Sequence, residues 1–415
     1  MSRGRDPREE RVGEAVRSLR PPEEREALER ALAVAADARE GPTHLSHRHT
    51  RHKLAAALLA AGAAAALVLT PAGAEVRDWV ADAIDDNAPV ERAALTRVPS
   101  GGEVLVSAPT GIWLVRDDGS RRLLGDFEEA TFSPRGLYVA ATSDRTLTAL
   151  DPAGEVRWAL ATPGPVSDAR WAPSGYRIAY RTASRRGQLN VVAGDGTGAR
   201  KLAAGIAQAA PSWRPPPEGA DPALEPNVLT YVRSSGSVTT LDVDSGREIW
   251  RWAAARPAKS VAWAGPDRLV VAYARSVKIL DRRGSPIGSV PLPDDSHVDA
   301  VTPSPDGERL AIVLSSGVEG VDARSRLYLA RIAGGDRRER TVFSGYGSFE
   351  APAFSPNDEW ILLPWTDTDQ WVFINPSEDR KLLRRVIAVG NIARQFDPGG
   401  RGEARPPEVE GWCCP

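Results

Sequence analysis

The chain has 415 residues, a formal net charge of −2 and 26% charged residues, so no excess of basic charge indicates nucleic acid as a partner. Hydrophobic residues make up 42%, which is enough for a packed core. The two cysteines, Cys413 and Cys414, are too few for a disulfide-stabilised scaffold or a four-cysteine zinc site.

The N-terminal segment, residues 1–53, contains two stretches with the apolar spacing of short amphipathic helices. They lie at 8–20 and 23–40, and Pro21 and Pro22 separate them. Two such short helices cannot bury their apolar stripes alone. We therefore expect them to pack on each other, on a second copy of the chain or on a cytoplasmic helix partner.

Four histidines follow within nine residues, at His44, His47, His49 and His52. Neutral imidazoles at this spacing could bind a transition metal, and we retain them as metal candidates. The same stretch contains Arg48, Arg51 and Lys53 and directly precedes an apolar run. We favour a basic collar that faces lipid headgroups.

The apolar run at 54–74 carries no charge, and as a helix it would span about 30 Å, the thickness of a bilayer core. Basic residues precede it and acidic residues follow it, which predicts a cytoplasmic N-terminus and an extracytoplasmic remainder of the chain. Ala72-Gly73-Ala74 has the spacing of a signal-peptidase site. Because 53 residues precede the run, we favour an uncleaved single-pass anchor in the cell membrane over a cleaved signal peptide.

Residues 75–102 begin with the periodicity of an amphipathic helix and continue as a linker, and from residue 103 the sequence becomes repetitive. An aromatic-Pro turn recurs about every 40–50 residues. Its copies start at Phe132, Trp171, Trp213, Trp263, Ser304 (without the aromatic), Phe354 and Phe396. An Asp/Gly-rich turn alternates with it, at 116–120, 151–154, 194–198, 242–246, 281–284, 334–336 and 375–379.

Each period reads as four short strands, so the pattern predicts an all-β, seven-bladed β-propeller over 103–400, followed by a C-terminal tail at 401–415. The first and the last turn of the repeat fall at different points within a blade, so one blade must take strands from both ends of the propeller. This predicts closure of the ring by a terminal strand. The segment 389–398, which contains Phe396, would complete the sheet begun by 103–125. Residues 95–102 are the alternative first strand.

The repeated turn followed by an apolar strand resembles the WD-repeat-like propellers of TolB type. This resemblance covers roughly 103–400 and implies the fold more than a function. Two repeats, LDPAGEVRW and LDVDSGREIW, also resemble the quinoprotein propeller repeat, but only two of seven carry it, so we predict no cofactor. The composition, rich in Arg, Ala and Gly, is typical of a high-GC bacterium.

Catalytic groups are scarce outside the membrane. His297 is the one histidine after the apolar run, and no Gly-x-Ser-x-Gly elbow or metal-ligand spacing occurs in the propeller. Propellers usually bind at the mouth of the central channel, which the first strand of each blade lines. Just before the aromatic-Pro turns those strands place Glu129, Asp168, Asp299, Glu350 and Arg394. These residues are our candidates for binding a cation or a basic partner.

Three states are open for Cys413 and Cys414: an intramolecular disulfide, which we disfavour because adjacent cysteines can close only a strained ring, an intermolecular bridge or another modification. Trp412 could dock an otherwise disordered tail on the propeller.

The architecture favours a non-enzymatic membrane protein that displays an extracytoplasmic propeller for interaction with a protein or small ligand. One alternative is a transmembrane signalling protein of anti-sigma-like layout. Another is a propeller enzyme, lactonase-like or quinoprotein.

Overall fold

A computed structural model describes the part of the chain that follows the predicted membrane anchor. It covers residues 90–92, 94–253, 255–317, 323–332, 339–376, 385–397, 399 and 405–414. The predicted segments 1–53 and 54–74, the amphipathic stretch up to residue 89 and the four clustered histidines lie outside these residues. Within the described ranges, no helix has the length and apolar character needed to cross a bilayer.

Seven sheets, each with four antiparallel strands, form the blades of a propeller, as the repeats predict, and one of them carries a fifth, parallel strand at its edge. Blade 1 contains β29 (Glu408–Cys413), β2 (Glu103–Ala108), β3 (Gly111–Val115) and β4 (Arg121–Gly125). Blade 2 contains β5 (Glu129–Phe132), β6 (Val139–Ser143), β7 (Thr146–Leu150) and β8 (Val156–Ala161). Blade 3 contains β9 (Val166–Trp171), β10 (Arg177–Thr182), β11 (Gln188–Ala193) and β12 (Arg200–Ala204).

The remaining blades repeat this order. Blade 4 contains β13 (Ser212–Trp213), β14 (Val228–Val232), β15 (Val238–Asp242) and β16 (Glu248–Trp252). Blade 5 contains β17 (Ser260–Ala264), β18 (Arg268–Tyr273), β19 (Ser276–Asp281) and β20 (Pro286–Val290). Blade 6 contains β21 (His297–Pro303), β22 (Arg309–Ser316), β23 (Arg324–Arg331) and β24 (Glu339–Tyr346). Blade 7 contains β25 (Ala353–Phe354), β26 (Ile361–Trp365), β27 (Gln370–Asn375) and β28 (Arg385–Gly390).

The first strand of each blade contacts the first strands of both neighbouring blades, and these contacts run through all seven blades and close a ring. The second and third strands are apolar on both faces because both faces pack against neighbouring blades. In β14, for example, every residue of VLTYV is buried. Seven apolar clusters fill the seven seams between blades.

The two turn types of the repeat occupy one side of the ring, which we call the lower face. Six aromatic-Pro turns join the first and second strands of blades 2–7, and the Asp/Gly turns at 116–120, 151–154, 194–198, 242–246 and 281–284 join third and fourth strands. The last two Asp/Gly turns lie wholly or partly outside the described residues. The opposite side, the upper face, carries the loops between second and third strands and the connections between blades.

Closure by a C-terminal strand is confirmed, but our assignment of that strand was wrong. The closing strand is β29, which lies in the predicted tail and pairs antiparallel with β2, with Trp412 opposite Val104. The segment 389–398 instead ends β28 and forms the short helix α1 (Ile392–Gln395). The alternative, 95–102, contains no strand either.

The aromatic ring of Phe396 explains this difference. Phe396 is 1% exposed and packs against Trp113 of blade 1 and Trp371 of blade 7, with ring centroids 5.9 and 5.5 Å away. The hydroxyl of Thr110 also donates to the Phe396 carbonyl at 2.6 Å. Phe396 therefore fills the seam where the ring closes, without forming a strand.

The chain upstream of the first blade also contacts this closing seam. The strand β1 (Val90–Arg92) joins the outer edge of blade 7, parallel to β28. Leu95 and Val98, which are 3% and 0% exposed, then pack into the same apolar cluster as Phe396 and Trp412. The linker is thus part of the folded propeller from residue 90.

The chain ends on the lower face beside blade 2. Cys413 and Cys414 are bonded to each other in a vicinal disulfide, which is one of the three states that the sequence left open. A Cβ added at Gly136 would lie 3.0 Å from the Cys414 sulfur, so the pair touches the aromatic-Pro turn of the neighbouring blade.

Candidate functional site

Two of the predicted channel-mouth residues are joined directly across the seam between blades 2 and 3. Glu129 begins β5, and its carboxylate accepts a hydrogen bond of 2.6 Å from the backbone amide of Asp168 in β9. Asp168 has a left-handed backbone, with φ +52°, and forms an ion pair with Arg181 from the adjacent strand β10. Burial raises the pKa of Glu129, the hydrogen bond from Asp168 opposes that rise, and the Asp168 carboxylate adds to it.

The closing strand contributes two carboxylates that we did not predict, Glu408 and Glu410. Glu410 lies at an irregularity of β29, where the register with β2 shifts between Leu105 and Val106. Its pKa is raised to about 8, chiefly by burial; Arg170 opposes the rise, and the carboxylates of Glu129, Glu408 and Asp168 contribute to it. These mutual effects place Glu410 in the same cluster as the Glu129–Asp168 pair.

Glu350 connects the cluster to blade 7. It precedes β25 and donates its backbone amide to the carbonyl of Pro364 at 3.0 Å. Burial raises the pKa of Glu350, and the Glu408 and Asp367 carboxylates add to this rise. First strands from blades 2 and 3, the closing strand of blade 1 and the segment before β25 thus bring five carboxylates to the upper face, which we call the acidic cluster: Glu129, Asp168, Glu350, Glu408 and Glu410.

Two predicted residues do not join this cluster. Asp299 is exposed on β21 of blade 6, next to a register shift between Val298 and Ala300. Arg394 is exposed on α1, which follows the fourth strand of blade 7, so its predicted position on a first strand is wrong. This error follows directly from the wrong assignment of the closing strand.

His297, the one histidine among the residues that the structure describes, begins β21 and is exposed. Its Nε2 lies 3.1 Å from an Arg275 Nη atom. Among the described residues, no group of three or more His, Cys, Asp or Glu side chains could hold a metal ion.

A cavity of about 340 Å³ opens on the lower face between blades 3 and 4. Arg177 and Arg200 line it together with Asp244. The guanidinium of Arg177 lies 3.0 Å from the Asp244 carboxylate, and that of Arg200 donates to the carbonyl of Val243. Both arginine side chains therefore already have a hydrogen-bond or ion-pair partner within the protein.

The tryptophans of the two quinoprotein-like repeats hold neighbouring blades together. Trp158 on β8 donates from its indole nitrogen to the Gly194 carbonyl of blade 3 at 2.9 Å. Trp250 on β16 donates likewise to the Arg282 carbonyl of blade 5 at 3.0 Å. A Cβ added at Gly284 would meet the Trp250 ring at 2.7 Å. The tryptophan of each of these two repeats thus packs its indole ring against the Asp/Gly turn of the next blade, so its role is structural.

The class of protein defined by this fold is a closed seven-bladed β-propeller with an acidic cluster at one end of its channel. Comparison with protein families finds one matching model over residues 113–252, the PQQ_2 repeat family, described as outer membrane protein assembly factor BamB. The matched region contains both quinoprotein-like repeats. No curated protein matches the chain.

Solved structures resemble this chain at low sequence identity. A chain of the "Crystal Structure of Mitotic Checkpoint Complex" is 17% identical, with a TM-score of 0.50, and the match covers 78% of this chain and 87% of that one. A chain of Kuenenia stuttgartiensis hydrazine synthase is 13% identical, with a TM-score of 0.46, over 60% of this chain and 76% of the other. At 17% identity the likeness to the first of these concerns the fold alone.

Proposed function

We propose that this protein is a non-enzymatic interaction platform, in which a single-pass anchor at 54–74 holds the propeller outside the cell membrane. The acidic cluster is the observation that carries the proposal. Its side chains come from three blades and the segment before β25, so a ligand there would contact several elements at once. The description of the matching family, an assembly factor, also supports a role in binding other proteins.

The charge of the acidic cluster indicates the chemistry of the partner. Five acidic side chains face two guanidinium groups, those of Arg170 and Arg181, and the raised pKa of Glu410 means that its carboxyl binds a proton near neutral pH until a cation displaces it. Burial raises the pKa values of Glu129, Glu350 and Glu410, which means that their charged forms are poorly solvated. A cationic ligand would restore favourable interactions to these groups, so we propose a basic protein segment or a small organic cation as the partner.

Binding can be tested with the full-length chain in detergent and a fluorescent decalysine peptide as the probe. We expect salt-sensitive binding, because the attraction is electrostatic. The triple variant Glu129→Gln, Glu408→Gln, Glu410→Gln should lose it. A matched control removes the same number of exposed carboxylates from the lower face, at Glu155, Glu218 and Glu359. Equal loss of peptide binding in both variants would show that the peptide is attracted to the net charge of the protein and not to the acidic cluster.

The anchor can be tested separately on intact spheroplasts. Added protease should remove the propeller and leave residues 1–53 protected, whereas protection of the propeller would contradict the proposed orientation.

The absence of catalysis is tested by His297→Ala in the full-length chain. This substitution should change no hydrolase activity, and an activity lost in this variant would favour the enzyme alternative.

A further inference from the structure

We propose that the lower face of blades 2–4 rests on the lipid surface of the membrane, so that the acidic cluster points away from the bilayer. This inference rests on the proposed anchor. It adds a lipid contact and an orientation, neither of which the anchor itself requires. Two independent observations support it: the distribution of exposed apolar side chains, and the side from which the upstream chain reaches the propeller.

The exposed apolar side chains are distributed unequally between the two faces. Eight large ones are exposed among the described residues. Four of them lie on outermost strands, at Leu123, Val156, Ile249 and Ile287. The other four lie in lower-face loops between first and second strands, at Leu137 (60% exposed), Tyr138 (43%), Tyr176 (58%) and Leu224 (84%). None of the eight lies in an upper-face loop, so burial of apolar surface would favour contact through the lower face.

These four residues, which we call the lower patch, belong to three consecutive blades. The loops of blades 3 and 4 meet directly, because Pro173 and Ser174 line a small cavity together with Pro215, Pro222 and Pro226. The disulfide-bonded Cys414 extends the patch towards blade 1, since it contacts Gly136, the residue before Leu137. The nearby Arg177 is paired with Asp244, whereas the loop that contains Leu224 also carries the exposed Glu218.

The upstream chain reaches the propeller on the same face. Since β28 is a fourth strand, it runs from the lower to the upper face, and β1 is parallel to it. The chain therefore enters β1 at the lower face, at the outer edge of blade 7. Fifteen residues, 75–89, separate the proposed span from β1 and could reach at most about 50 Å. The connection therefore approaches the propeller from the side of the lower face.

A tethered propeller needs little additional energy to settle on the lipid. Because the propeller is tethered, its contact with the bilayer is an intramolecular step. A few apolar side chains can therefore shift the equilibrium between the free and the lipid-bound orientation, although the same side chains could not bring an untethered protein to the membrane. Tyrosine and leucine also suit the interface between headgroups and acyl chains, because an aromatic ring with a polar tip is favourable there. The lower patch has this composition, and because the proposed anchor tethers the chain to lipid, we take the bilayer surface as its occupant.

The orientation can be measured by fluorescence quenching in proteoliposomes that contain phosphatidylcholine with nitroxide-labelled headgroups. The full-length chain with Cys413→Ser and Cys414→Ser provides a cysteine-free background. An environment-sensitive fluorophore is attached either at Leu224→Cys on the lower face or at Arg185→Cys, an exposed position in an upper-face loop of blade 3. We expect quenching of the label at 224 and none at 185.

The double substitution Leu137→Glu and Tyr176→Glu should abolish quenching at 224, because it places charges in the lower patch. Both side chains are exposed, so the fold should be retained, and circular dichroism checks this. Equal quenching at 224 and 185, or quenching that survives the glutamates, would overturn the inference. Flotation of the proteoliposomes separates this result from the anchor: protein that floats with equal quenching refutes only the orientation, whereas protein that does not float refutes both.

Discussion

Trp412 holds the closing strand in the ring, and its replacement by alanine should lower the stability of the propeller substantially. The side chain is 8% exposed, its indole nitrogen donates to the Gly101 carbonyl at 2.9 Å, and its ring packs edge-on against Phe373 at 5.9 Å. Removal of a buried tryptophan costs about 3–5 kcal/mol. This is a large part of the roughly 5–15 kcal/mol that stabilises a typical domain. At about 2–4 °C per kcal/mol, the melting temperature should fall by roughly 6–20 °C.

Trp213 supplies a matched control for this experiment. It occupies the equivalent position on the first strand of blade 4, is also 8% exposed and donates to the Arg170 carbonyl at 2.9 Å. Both alanine variants create a similar cavity, but only Trp412→Ala also releases a terminal strand. Calorimetry should show the larger loss for Trp412→Ala, and hydrogen exchange should show reduced protection of the β29 amides in that variant. If the two variants melt alike and the protection of β29 is unchanged, Trp412 has no special role in closure.

Further predictions concern blade packing, closure and pH. Gly284→Ala should destabilise the protein more than Gly246→Ala in a thermal melt, because both glycines have positive φ (+84° and +71°) but only at position 284 would the Cβ meet a tryptophan ring. Deletion of residues 405–415 should cause aggregation, checked by light scattering, because it exposes the edge of β2. Since the pKa of Glu410 is raised from 4.5 to about 8, the native state binds the extra proton and stability should fall as pH rises through that window. Glu410→Gln should flatten this fall in melts across pH 5–8, and Glu155→Gln, an exposed position in a lower-face turn outside the acidic cluster, serves as the control.

The blades could be predicted from the sequence because each is specified locally. Positive φ at Gly136 and Gly284, for example, is needed within a short turn whose residues are adjacent in the chain. Period-2 apolar runs between such turns then determine which segments form strands. The number of blades, the order of strands and the lower-face turns could therefore be derived without tertiary information.

The closing strand could not be predicted in this way. The residues that contact each other where the repeat turn would lie come from the two ends of the propeller, far apart in the chain. Trp412 occupies the position of the repeat aromatic, but its hydrogen-bond partner, Gly101, is 311 residues away in the chain. Phe396 matched the local pattern better, and only packing in the seam shows that it belongs to no strand. A clue was present, since Trp412 stands three residues before Pro415, close to the spacing of the other repeats.

The acidic cluster was predicted in part for the same physical reason. Glu129, Asp168 and Glu350 precede recognisable turns, so their place at the upper face follows from the repeat. Glu408 and Glu410 reach that face only because β29 pairs with β2, and the raised pKa of Glu410 arises from burial among side chains of other blades. The sequence by itself determined the repeating blade. The tertiary structure decided which distant segment completes the ring, because that choice depends on which side chains fit the last seam.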